Sequence, residues 1–219
     1  LFIYLSPRVQ FLHHDFLAKL PPLVSIPLCW ITFDFLNYWI HRLQHTVRPL
    51  WAFHSVHHTA TQLTMLTGNR IHAFEQLYVS LMLLVPVLLL GIQPRWLPIV
   101  FAQVLLETLQ HARVRWSFGP LYRIVVSPRF HAFHHSADER EHNGNYGRIF
   151  SCWDVLFGTF VSSTQPVRRF GVDDMVVPER LTAQFFHPFR YLASTLRSLP
   201  RVSADARGRS VADPARVPQ

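Results

Sequence analysis

Nine histidines in four groups constrain this chain more than any other feature. His41 and His45 stand in HRLQH, and His54, His57 and His58 in HSVHH. His111 stands alone in LQHAR, and His131, His134 and His135 stand in HAFHH, which repeats the spacing of HSVHH. Residues three or four apart share one face of a helix. His41 and His45 therefore point the same way. Each H-x-x-H-H offers two imidazoles to one ion and a third to a neighbouring ion. Neutral imidazole is the commonest metal ligand among side chains. Zinc takes four ligands and octahedral iron six, so nine imidazoles exceed one ion's needs. The fold must gather four separated segments around two ions, with four or five imidazoles each and open positions left over.

Ligand type leaves the metal open, since imidazole suits zinc, copper, iron and nickel. The scarcity of carboxylates separates the pattern from soluble di-iron bundles, which use Glu and Glu-x-x-His. Cys29 and Cys152 are the only cysteines and form no C-x-x-C pair. Thiolate zinc sites, iron–sulfur clusters and disulfide frameworks are therefore unsupported.

Three apolar stretches restrict the fold further. Residues 23–40 carry only Asp34 as a charge, residues 77–92 carry none, and residues 96–109 carry Glu107 near their end. A full membrane span needs about 20 residues, so the shorter stretches suit re-entrant or buried helices. The second and third are separated by Gly91-Ile92-Gln93-Pro94-Arg95 and read as a helical hairpin dipping into a bilayer, with Pro86 kinking one arm. LMLLVPVLLLGI has no polar face to show to water, which favours a membrane over the rival soluble all-α protein. The expected fold is all-α. About three to four apolar membrane helices, including the hairpin, carry a cytosolic helical cap that holds the histidines. The hairpin enters after HSVHH and returns just before His111, which brings all four groups to one side.

The 219 residues fit one domain, over 1–200, followed by a polar basic tail, 201–219, that reads as disordered. The chain begins with Leu rather than Met, so its N-terminus reads as truncated. The net charge is +8, and arginines crowd the last third. By the positive-inside rule this places the metal site and the C-terminus on the cytoplasmic side. A nucleic-acid module would interleave basic and aromatic residues on a soluble fold, and none is present.

A ligating histidine usually donates its other nitrogen to a carboxylate or carbonyl. Asp34 and Asn37 precede His41 on one helix face, and Glu107 stands four before His111. All three are candidate supports of the ligands; the rival reading is that the carboxylates cap or snorkel. His72 in NRIHAFE and His142 in EHNGNYG are candidate ligands or supports, whereas His13, His14 and His187 read as surface. Trp39, Phe53, Phe74 and Phe133 flank the ligands, as acyl-path walls or as ordinary core.

Taken together, DFLNYWIHRLQH, LWAFHSVHHT, NRIHAFE, FGPLYRIVVSPRFHAFHHS and NGNYGRIFSCWDVLFGTF resemble the fatty acid hydroxylase and sterol desaturase superfamily. The resemblance runs from Asp34 to Phe160. It implies an integral membrane enzyme with two histidine-bound iron ions, which zinc can replace. Such an enzyme uses dioxygen to hydroxylate or desaturate a fatty acyl, sterol or alkyl chain. It implies ligand roles for His41, His45, His54, His57, His58, His131, His134 and His135, with His111 as the ninth, and a closing segment over 143–160. One departure stands out: some members carry a second H-x-x-x-H, yet Ala112-Arg113-Val114-Arg115 follow His111 here, and His142 is the candidate substitute.

The chain carries neither a G-x-G-x-x-G loop nor a cysteine cluster, so electrons must come from outside. A cytochrome, a ferredoxin or a reduced pterin is implied as donor. The basic C-terminal third suits an acidic redox partner or anionic lipid. The alternative is a histidine-rich membrane metal-binding or transport protein, which would want ionisable residues inside the spans, where only Asp34 and Glu107 qualify. A zinc hydrolase would want H-E-x-x-H, which is absent.

Overall fold

Proline stands in the first turn of several helices of this chain. The computed structural model describes residues 17–90, 97–173 and 180–198. Among the described residues it holds seven α-helices and no β-strand. Helix α1, Pro22–Thr46, has Pro22 at its first position, where a missing N–H is harmless. Val47 leaves the helical region (φ −101°, ψ 107°), and Pro49 then sits in the first turn of α2, Arg48–His58. This sharp joint folds α2 back onto α1 and lays HSVHH against HRLQH.

Helices α3, Ala73–Leu90, and α4, Leu97–Gln110, are the two apolar arms expected of the hairpin. The turn between them lies outside the described residues, as do His13, His14 and the tail 201–219. Helix α5, Pro128–His134, is capped by Ser127, whose hydroxyl accepts from the Phe130 amide at 3.2 Å. Helix α6, Cys152–Leu156, lies in the closing segment, and α7, Leu181–Ser198, packs on α2.

Buried and exposed chemistry are inverted relative to a water-soluble helical protein. The C-terminal half of α1 buries Asp34, Asn37, Tyr38, His41 and Gln44, while Leu23, Val24, Ile26 and Leu28 in its first turns are exposed. Leu77, Leu81 and Met82 on α3 and Phe101, Val104 and Leu105 on α4 are exposed as well. By length and composition α1 alone among the described helices can cross a membrane, a test that a buried core helix also passes. Helix α4 has 14 residues. That makes it about 21 Å long, short of a bilayer core of about 30 Å.

Residues 143–161 close the fold through two buried carboxylates. Asp34 accepts from the amides of Ile149 (2.9 Å) and Phe150 (3.0 Å) and from Trp153 Nε1 (2.9 Å). Asp154 accepts from the amides of Tyr146 and Gly147, both at 2.8 Å, and from the Thr159 hydroxyl. Gly147 has no alternative, because a Cβ there would lie 2.6 Å from the Phe150 carbonyl oxygen. Asn145 adopts a left-handed backbone (φ 59°), and its side-chain amide donates to the carbonyls of Phe130 and Val161. The rings of Phe35, Tyr38, Trp39, Trp153 and Phe157 pack between α1 and this segment.

Removing the Asp34 carboxylate leaves three donors buried without an acceptor. Asp34→Ala should therefore cost about 3 kcal/mol or more, at about 1–3 kcal/mol per orphaned group. Thermal unfolding in detergent checks this, and Asp34→Asn should retain part of the stability.

Candidate metal centre

The nine histidines of the four sequence groups meet in two adjoining clusters. His41, His45, His54, His58 and His134 form one, and His57, His111, His131 and His135 form the other. Within each cluster one nitrogen from every ring lies within 4.8 Å of all the others. Helical spacing explains the division. Helix α2 gives its i, i+4 pair, His54 and His58, to the first cluster and His57 to the second. Helix α5 does the reverse, giving His131 and His135 to the second and His134 to the first. The two H-x-x-H-H motifs are thus related by an approximate two-fold exchange. The motif on α1 adds two rings to the first cluster. His111, just past the end of α4, adds only one to the second, because Ala112–Arg115 supply no further ligand. The clusters touch through His58 and His135, whose rings stack at 4.4 Å.

Outer hydrogen bonds fix which nitrogen points inward. Nδ1 of His41 donates to the Tyr146 carbonyl (2.9 Å), Nδ1 of His134 to the Gly144 carbonyl (2.9 Å) and Nδ1 of His111 to the Glu107 carbonyl (2.8 Å). Nδ1 of His54 meets the Glu75 carboxylate at 2.6 Å. Each of these rings therefore presents the Nε2 lone pair to its cluster. His111 Nε2 lies 3.0 Å from His131 Nε2 and 3.3 Å from His57 Nε2. His54 and His58 approach through Nε2 at 3.1 Å, as do His131 and His135. Two such nitrogens either share one tautomeric proton or face each other as lone pairs, which repel unless a cation lies between them. Imidazole nitrogens about 2.1 Å from one ion lie about 3.0 Å apart in an octahedron and about 3.4 Å apart in a tetrahedron. The spacing thus matches edges of a coordination shell. Nε2 of His134 and both ring nitrogens of His45 are buried without a hydrogen-bond partner; the same ion would satisfy the first and one of the other two. The residues present fit a pair of metal ions.

Burial keeps the rings neutral. Desolvation first, then repulsion from neighbouring imidazoles, holds His54, His57, His58, His131 and His135 well below the usual histidine range. Burial lowers His134 to about 4. Neutral imidazole is the form that ligates.

The other residues singled out in the sequence lie around this centre in varied roles. The Glu107 backbone carbonyl, not its carboxylate, accepts from His111; the carboxylate pairs with Arg148 at 2.6 Å. Asn37 accepts from Arg148 at 2.9 Å, and Asp34 serves the closing segment as described, so neither bonds His41. His72 belongs to neither cluster. Its Nδ1 accepts from the Phe74 amide (3.1 Å) and its Nε2 donates to the Phe185 carbonyl (3.0 Å), which ties α7 to the loop before α3. His142 also lies outside both clusters. Phe53 and Phe74 pack with His72 and Phe189, Trp39 packs on Phe157, and Phe133 is fully buried.

Sequence reading missed Glu75 and Gln44. Glu75 is buried and meets His54, while Gln44 donates to the same carboxylate oxygen at 2.8 Å and to the Tyr78 hydroxyl at 2.9 Å. Glu75 sits far from His54 along the chain, so no helical spacing marks it; the available signal was a carboxylate at the head of an otherwise apolar helix. Gly68 is a second omission. A Cβ there would lie 3.1 Å from His111 Nδ1, so a larger residue would press on that ring.

A cavity of about 240 Å³ opens beside both clusters. Its walls run from His41, His54, His57, His111 and His131 to Val79, Leu83 and Val104 on the apolar arms. None of Trp39, Phe53, Phe74 and Phe133 borders it.

Two outcomes follow. Glu75→Ala should lower metal affinity by roughly 10–100-fold, the usual cost of losing a partner of a ligating histidine. Glu107→Ala should lower it less, since the carbonyl that orients His111 remains; metal per chain by mass spectrometry separates the two. In the metal-free protein the unfolded chain takes up protons near pH 6.5, whereas folded His134 does so only near 4. The unfolded state binds more protons between these values, so stability rises with pH across the window and falls on acidification. The melting temperature of metal-free protein should drop from pH 7 to pH 5, and loaded protein should release metal over the same range.

The family model described as fatty acid hydroxylase matches residues 26–159, which contain both clusters and most of the closing segment. The chain is 32% identical over 162 residues to ornithine lipid hydroxylase OlsE of Rhizobium tropici, covering 74% of this chain and 49% of that protein. It is 34% identical over 146 residues to alkylglycerol monooxygenase of Xenopus tropicalis, covering 63% and 31% respectively. Methylsterol monooxygenase 1 of Danio rerio is 31% identical over 140 residues, with 60% and 45% covered. The chain spans less than half the length of each of these relatives. No solved structure matches it. With its histidine motifs and more than half its length inside the matched segment, the chain belongs to the fatty acid hydroxylase family.

Proposed function

We propose that this chain is a membrane-bound monooxygenase that hydroxylates, or desaturates, a lipid alkyl chain with two iron ions and dioxygen. The observation that carries the proposal is the cavity that joins both histidine clusters to the apolar arms α3 and α4. An alkyl chain entering between the arms meets Val104 and Leu83 first and the imidazoles at the far end. The names of the relatives, a lipid hydroxylase and two lipid monooxygenases, support the same substrate class.

One ion is assigned to His41, His45, His54, His58 and His134, and the other to His57, His111, His131 and His135. When bound, they supply the activation of dioxygen and the oxidising power for a C–H bond. The protein's own part is positioning. Glu75, Gln44 and the carbonyls of Glu107, Gly144 and Tyr146 lock ring tautomers and orientation. Val79, Leu83 and Val104 hold the chain and exclude water. The cluster with four histidines has the more open coordination and is the natural side for a reactant. Neutral ligands bring no negative charge to the ions, which suits a centre that must be reduced from outside.

The membrane reading extends the exposed apolar surface. Helix α1 and the two arms lie in the bilayer, and the histidine cap and basic C-terminal third lie on the cytoplasmic side. Residues 1–200 then form a single domain. The electron donor is external, whether a cytochrome, a ferredoxin or a pterin, and zinc can occupy the sites without supporting turnover.

Expression in a lipid-competent host with an active donor, followed by untargeted lipid mass spectrometry, tests the proposal. The expected result is a lipid that gains one oxygen or loses two hydrogens, and does so only with oxygen present. His57→Ala and His131→Ala should each abolish it. An unchanged lipid profile despite iron-loaded protein and an active donor would overturn the proposal.

A further inference from the structure

A second cleft contains no histidine. It measures about 1150 Å³ and shares no lining residue with the cavity beside the histidine clusters. Its lining carries Arg113, Arg115, Arg129, Arg168 and Arg169 against one acidic residue, Asp173. That carboxylate is already held by Arg169. The Arg129 guanidinium donates to the Ser163 carbonyl. Among the described residues the guanidinium groups of Arg113, Arg115 and Arg168 form no ion pair. Three like charges left unmatched around one concavity repel one another, and an anion seated between them removes that cost.

The walls are built rather than loose. The Arg129 amide donates to the Trp116 carbonyl at 3.0 Å, which fixes the segment carrying Arg113 and Arg115 to α5. On the opposite wall Phe170 pairs with Ser136, and the Ala137 amide donates to the Arg169 carbonyl at 2.9 Å. Thr59, Thr61 and Gln62 add neutral donors, while the half-buried Val114, Val167 and Phe170 give the floor an apolar strip. Guanidinium forks match phosphate oxygens in bidentate fashion. An arginine rim over an apolar floor suits an anion joined to a hydrocarbon better than a bare anion.

Position selects the source. Arg113 and Arg115 come directly after α4, at the end where that apolar helix leaves its surroundings, and Trp116 beside them is 57% exposed. Basic residues just cytoplasmic of an apolar helix, with a tryptophan at the same level, are the elements that hold anionic lipid heads at the interface.

We propose that this cleft binds the phosphate head of an anionic phospholipid of the leaflet that α4 leaves. The inference rests on the membrane reading of α4 but not on the hydroxylase chemistry. A lipid bound here would fix the height of the histidine cap over the bilayer, and hence the depth at which a substrate chain meets the ions.

The test uses the full chain in a neutral detergent, titrated calorimetrically with dihexanoyl phosphatidic acid, dihexanoyl phosphatidylcholine, inorganic phosphate and poly-glutamate. Phosphatidic acid should bind about tenfold or more tightly than phosphatidylcholine and inorganic phosphate, as expected of charge-assisted pairs with an added apolar contact. Arg113→Gln/Arg168→Gln should lose at least tenfold of that affinity, with metal per chain unchanged as evidence of an intact fold; Arg115→Gln is the second variant. Equal binding of inorganic phosphate assigns the cleft to a free anion and overturns the lipid head. Tighter binding of poly-glutamate assigns it to an acidic polypeptide and does the same. Unchanged affinity in the arginine variants overturns the site itself. Lipid hydroxylation is read separately, so failure of the enzymatic proposal leaves these outcomes interpretable.

Discussion

Burying nine imidazoles in one place is the interaction on which the rest of this structure depends. A polar ring taken out of water without partners costs about 1–3 kcal/mol on mutational scales, so an empty centre of this size would be a heavy burden on the fold. The chain distributes the cost. One nitrogen of each of several rings is satisfied by a backbone carbonyl or by Glu75, and the other faces its cluster, where only a cation can satisfy several lone pairs together. The outer bonds set ring orientation and the helices set ring spacing, which leaves a polar core with the donor set for a metal ion.

That polar core explains the inverted appearance of the molecule. Ordinary helical proteins bury apolar stripes and expose charges. Here α1 buries carboxylate, amide and imidazole in its second half and exposes leucine, valine and isoleucine in its first. The arms α3 and α4 likewise expose their apolar flanks. The carboxylates of Asp34 and Asp154 serve the same economy, since each organises backbone amides of the closing segment that no helix or strand would satisfy. The segment then supplies carbonyls from Gly144 and Tyr146 to the ligands, so closure and metal geometry are one network.

Much of the centre was legible in the chain. The i, i+3 and i, i+4 spacings of HSVHH and HAFHH follow from helix geometry alone, and each motif contributes rings to both clusters. The count foretold two sites of four or five rings. Local spacing failed where partners come from distant segments. Asp34 and Asn37 share a face with His41, yet a helix face is wide enough for their side chains to reach residues 148–153 instead of the imidazole. Glu107 stands one turn before His111, and it is the carbonyl that the turn geometry aligns with the ring. Glu75 carried no spacing that ties it to His54, because its closeness to that ring exists only once α3 packs against α1 and α2.

By itself, then, the sequence determined the histidine groups, the helical class and the apolar stretches, since each depends on composition or on spacing within one helix. Tertiary structure alone decided which ring joins which cluster, which partner orients each ring, and that His72 holds α7 rather than metal. It also gathered arginines from three separate segments around one cleft. The physical reason is the same in each case. Helical periodicity is local and survives in the one-dimensional chain, whereas hydrogen bonds and charge clusters between segments depend on how the helices cross.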